Sequence, residues 1–95
     1  MNLFALKIPS PAEFEEAVKA RKGRELKKET REARKYLRIY ARELRNGYSM
    51  SDNRPSRSQE DCRRIIEETM AAAGWQCDWQ DDKYTPVVKL IPLAQ

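Results

Sequence analysis

Between Arg24 and Arg45 the less polar residues Leu26, Thr30, Ala33, Leu37, Tyr40 and Leu44 recur in alternating steps of four and three. Only an α-helix places such a series on one face. Asn46-Gly47 supplies a C-terminal stop, so the spacing predicts a helix over 24–45, roughly 33 Å long at 1.5 Å per residue. Whatever else the chain does, it must find a neighbour for that stripe.

The rest of this helix is as ordered as its apolar side. At about 100° per residue, Arg24, Lys27, Lys28, Arg31, Arg34, Lys35, Arg38, Arg42 and Arg45 fall within about 120° of arc, with no acid among them. Glu25, Glu29, Glu32 and Glu43 form a narrow band on one flank. No Glu in the helix has a base four residues ahead of it, so the favourable Glu-to-Lys pairing of a merely solvated helix is missing. From Lys19 to Arg45 there are twelve bases and four acids, a local net of +8 within a chain of net +4. Like charges gathered in this way repel one another and point to an anionic partner. Six of the nine stripe residues are Arg, whose guanidinium forks onto phosphate or carboxylate with two parallel hydrogen bonds.

Upstream, Ser10-Pro11-Ala12-Glu13 is a helix start, with Ser10 as cap and Glu13 placed to complete a capping box. Phe14, Ala17 and Val18 are expected to face inward. Their direction differs by about 100° from that of the Leu26–Leu44 stripe. With Gly23 between the two series, either the helix breaks near Gly23 or its two halves pack on different elements; the break, and hence two separate helices, is the expectation. Asn2 to Ile8, with Phe4, Leu6 and Ile8 alternating, predicts a short N-terminal strand. The polar segment 48–57, containing Ser, Asp, Asn and Pro, is expected to be a mobile loop.

Ser58 is expected to cap a helix that turns Cys62, Ile65, Ile66, Thr69, Met70 and Ala73 inward and ends at Gly74. Trp75, Cys77 and Trp79 alternate with Gln76, Asp78 and Gln80, which predicts a strand with one wet face. Asp81 to Tyr84 is a turn, and 86–93 a second strand closed by Pro92. The expected fold is α+β: three helices with a small, mostly antiparallel sheet made of the N-terminal strand and a C-terminal β-hairpin. Residues 1–95 are read as a single small domain, since a chain of 95 residues suits one thin core.

Composition narrows the function classes. There is no His to act as a base, and only three Gly with no glycine-rich phosphate loop. Cys62 and Cys77 match no zinc spacing and make no disulfide framework, which suits reduced thiols and a cytoplasmic setting. Asp78, Asp81 and Asp82 are not expected to bind a metal, since turn chemistry explains Asp81 and Asp82 without one. Met1 to Ile8 is too short and too weakly basic for a signal peptide, and no run reaches the roughly 20 apolar residues of a membrane span. A non-enzymatic protein without metal or cofactor is therefore expected. It would bind the phosphate backbone of nucleic acid through the nine stripe residues, with Tyr36 as an added contact because it falls off the apolar stripe. The alternative is a small regulator or inhibitor that docks the same basic face on an acidic protein surface, a nucleic-acid-processing enzyme being one candidate target. A homodimer formed through the Leu26–Leu44 heptads is the competing use of that stripe.

Overall fold

A computed structural model describes residues 7–93 and contains two helices and one three-stranded sheet. The order is α1 (Pro11–Arg45), β1 (Met50–Ser51), α2 (Glu60–Ala72), β2 (Trp75–Gln80) and β3 (Val87–Pro92). All strand pairings are antiparallel, with spatial order β1-β3-β2, so the class is α+β.

Helix α1 begins and ends as the local chemistry dictates. Ser10 Oγ accepts the Glu13 N–H at 3.2 Å, and the Ser10 hydroxyl in turn lies 3.2 Å from Glu13 Oε1. Pro11 occupies the first turn, where its missing N–H leaves nothing unsatisfied. At the far end Gly47 adopts φ +87°, which permits a Schellman closure. The Tyr48 N–H donates to the Glu43 carbonyl at 2.8 Å, and the Gly47 N–H to that of Leu44 at 3.0 Å.

The expected break at Gly23 does not occur, so there are two helices and not three. A glycine inside an exposed helix is worth about 1 kcal/mol against Ala, too little to interrupt a helix that nothing forces to turn. Nor do the two apolar stripes have to share one surface. From Pro11 to Lys28 no residue of α1 is buried, and Phe14 and Leu26 stand 63% and 52% exposed. Phe14 and Ala17, expected to face inward, lie in the open, and Val18 is only half-buried. This part of α1 is an arm of roughly 27 Å. Good helix formers, the Ser10 cap and the Lys19–Glu16 and Arg21–Glu25 pairs at 3.8 and 3.7 Å support it locally.

The core begins at Ala33. Ala33 and Tyr40 of α1 are buried against Cys62, Ile66 and Met70 of α2 and Val88 and Leu90 of β3. Leu37, Ile39, Leu44, Ile65, Trp75, Cys77 and Trp79 pack around this centre. The hairpin register pairs Trp79 with Val88 and Cys77 with Leu90, which puts the Trp/Cys face of β2 and the buried residues of β3 on the same side. Asp78 and Lys89 face each other on the opposite side. Thr69 and Ala73, expected inward on α2, are exposed.

The third strand is Met50–Ser51, which pairs with Lys89 and Val88. The expected strand over Asn2–Ile8 lies mostly outside the described residues, and Lys7 and Ile8 are not in a strand. The segment 48–57, expected to be a loop, thus contributes β1 and two buried residues, Ser51 and Pro55. The Tyr40 hydroxyl donates to the Asn53 carbonyl at 2.7 Å and ties the segment to α1. Ser58 does not cap α2; the helix starts after Gln59, whose Oε1 accepts the Ser56 N–H at 2.9 Å.

A Cβ added at Gly23 meets nothing within 4 Å. Gly23→Ala should therefore stabilise the arm by about 1 kcal/mol. Far-UV helicity should rise and amide exchange in the arm should slow. Near-UV melting, which reports the core, should hardly move. A drop in helicity would show that α1 bends at Gly23 after all.

Candidate nucleic-acid interface

Helix α1 carries the whole basic series. Arg24, Lys27, Lys28, Arg31, Arg34, Lys35, Arg38, Arg42 and Arg45 are all exposed. The first three stand on the arm, and the other six lie on the solvent side of the segment that packs on the core. Among the described residues none of the nine forms an ion pair; the bases that do are Lys19, Arg21, Arg54, Arg63 and Arg64.

The acidic flank takes the opposite position. Glu29, Glu32 and Glu43 are half-buried, and Glu32 Oε2 accepts the Gln59 amide at 2.7 Å. Glu25 is exposed and engaged with Arg21. Glu29 and Glu32 therefore turn toward the start of α2 and Glu43 is half-buried, while the bases face solvent. The rotation follows from the sequence: burying Ala33 and Tyr40 fixes the helix about its axis, and the 100° step does the rest.

Tyr36 is not free in the way its position off the apolar stripe suggested. It is half-buried, its ring centroid 6.4 Å from that of Tyr40, and it lines an open cleft of about 430 Å³ with Glu32, Lys35, Ile39, Asn53 and Gln59. Burial, with smaller contributions from Cys62 and Glu32, raises its phenol above the ordinary value. Of the nine bases, Lys35 is the one that shares this cleft. Trp75 and Trp79 pack on the core, and Arg63 lies over the Trp79 ring at 4.8 Å from its centroid.

Arg63 itself was not anticipated. Its side chain sits on the inward arc of α2, between Cys62 and Ile66, at 9% exposure. Nε and Nη2 donate to the Pro55 carbonyl at 3.2 and 2.9 Å; Nη1 donates to Asp81 Oδ2 at 3.0 Å and Nη2 to Oδ1 at 2.6 Å. Arg54 also reaches Asp81. Asp81 is thus the anchor of two guanidinium groups, and the Asp82 carboxylate accepts the Tyr84 N–H at 2.9 Å in the following turn. Of the two thiols, Cys62 is buried and Cys77 half-buried. Burial, then Glu29 and Glu32, pushes Cys62 up to about 11; burial, then Glu67, pushes Cys77 up to about 11.

No family model, curated protein or solved structure matches the chain. What the fold and this face define is a small α+β protein with a cationic helix surface whose nine bases form no ion pair among the described residues. No described helix is long and apolar enough to cross a membrane.

The hydrogen bonds from Arg63 hold the Asp81 carboxyl below its usual range, assisted by the charges of Arg63, Arg54 and Arg57. A depressed carboxylate adds stability above its unfolded value and loses it as the pH falls through the folded value. The stability gap between the parent and Asp81→Asn should therefore be full above about pH 5 and close below the ordinary aspartate value near 3.9. Thermal melts from neutral to acid pH test this. A gap that stays constant across the range would mean the pair does not matter to folding.

Proposed function

We propose that the protein binds nucleic acid non-enzymatically, through the phosphate backbone, with the basic face of α1. The observation that supports this reading best is the exposure of all nine bases, none of which is ion-paired among the described residues. Nine such cations over roughly 32 Å of helix lower folding stability by mutual repulsion, and a polyanion relieves it. The arm adds reach. A helix is about 10–12 Å across, close to the width of the B-DNA major groove, and Arg24, Lys27 and Lys28 can follow a duplex without interference from the core. Phosphate contacts of this kind position a protein but carry little sequence information.

The test is fluorescence anisotropy with labelled duplex DNA, single-stranded DNA and RNA across a salt series. If about five phosphates are engaged, log affinity for a duplex should fall with log salt at a slope of about −4 to −5. Arg31, Arg34 and Arg38 changed together to Ala should weaken binding for all sequences alike and flatten the slope by about three. Equal binding by the triple variant would end this proposal.

One observation favours the second reading, a regulator that docks on another protein. Phe14 and Leu26 are large, apolar and exposed on the same arm as the first bases. Phosphates make no use of such side chains, whereas an acidic protein surface with apolar pockets does. That reading predicts one stoichiometric protein partner whose capture is lost with Phe14→Ser. Capture unaffected by that change, with salt-sensitive nucleic-acid binding intact, would dismiss it.

A further inference from the structure

Where α1 meets α2, two pairs of side chains spaced three residues apart face each other: Glu29 and Glu32 on one helix, Gln59 and Cys62 at the start of the other. Glu32 and Gln59 satisfy each other at 2.7 Å. Glu29 and Cys62 have no such arrangement. Glu29 Oε2 is buried with no hydrogen-bond partner, and Cys62 is wholly buried at 0% exposure. Carboxylate oxygens of Glu29 and Glu32 and the Cys62 sulfur all lie within 4.8 Å of one another. No described base pairs with either carboxylate.

We propose that Glu29, Glu32 and Cys62 bind a zinc-class divalent cation that clasps α1 to α2. A buried, unpartnered carboxylate oxygen is costly, and a cation shared by the three donors would satisfy it. Tetrahedral zinc with bonds of 2.0–2.3 Å sets its donors about 3.5 Å apart, so small side-chain rotations bring the three into range. The thiol selects the metal: calcium and magnesium take hard oxygen donors in sets of six or more, whereas one sulfur with two carboxylates suits zinc or cobalt. On ligation the Cys62 proton leaves and the metal takes its place. Gln59, fixed by Ser56 at one end and bonded to Glu32 at the other, holds that carboxylate in orientation. Glu32 also lines the open cleft beside Tyr36, from which water can supply a fourth ligand.

The location gives the site a purpose. Ala33, one turn beyond Glu29, is the first buried residue of α1, and the arm ends at Lys28, just before Glu29. A metal here fastens the root of the arm and fixes its direction from the core.

The test uses the full chain, stripped with a chelator, then titrated with Zn²⁺ by calorimetry and with Co²⁺ by absorbance. One equivalent should bind, and cobalt should give a thiolate-to-metal charge-transfer band. Cys62→Ser should abolish the band and Cys77→Ser should leave it. Glu29→Gln, which preserves size on a half-buried site, should weaken zinc by roughly tenfold or more and serves if Cys62→Ser does not fold. No uptake by the parent would mean that the cluster holds a proton instead. That result, a band that follows Cys77, or zinc bound equally well by Glu29→Gln, would overturn the proposal.

Discussion

Arg63 is the charge around which three separated stretches of chain settle. A guanidinium at 9% exposure is tolerable only if its donors are used, and here the Pro55 carbonyl, both oxygens of Asp81 and the face of Trp79 use them. Pro55 lies just after β1, Asp81 just after β2, and Arg63 near the start of α2. One side chain thus fixes the segment between α1 and α2 against the end of the hairpin. Held there, the segment offers Ser51 to Val88 and the Asn53 carbonyl to Tyr40. The packed half of α1 therefore depends on a helix that it touches and on a turn that it does not.

The boundaries set by local chemistry were legible in the sequence. Ser10-Pro11-Glu13, Asn46-Gly47 and Gly74 each act within one turn of the chain, and the alternation from Trp75 to Gln80 is a property of six consecutive residues. The basic face was equally legible, because a helical step of 100° needs no knowledge of the partner. Period alone was misleading at Gly23. The phase difference between Phe14 and Leu26 demanded a break only on the premise that both are buried, and neither is. Arg63 escaped notice because its charge argued against its place on the inward arc. The juxtaposition of Glu29 and Glu32 with Cys62 depends on the register between two helices, which no local pattern encodes. β1 is two residues long and is defined by the β3 residues opposite it, so nothing within Met50–Ser51 announces it.

Helix α1 is built to serve both the core and the solvent. Ala33 and Tyr40 settle its rotation; the same rotation turns three Glu toward the protein and leaves the bases outside. A single packing decision therefore produces both the core and the cationic surface, and a change that rotated the helix would damage the two together.

The long unburied start of α1 also governs how the molecule moves through water. Its Cα radius of gyration is 19.6 Å, with extents of 66 × 31 × 20 Å, whereas a compact chain of this length has a radius near 12 Å. A protein of 11.2 kDa with that shape drags like a considerably heavier sphere and tumbles slowly about its short axes. Judged by its friction alone, a single copy would pass for an assembly.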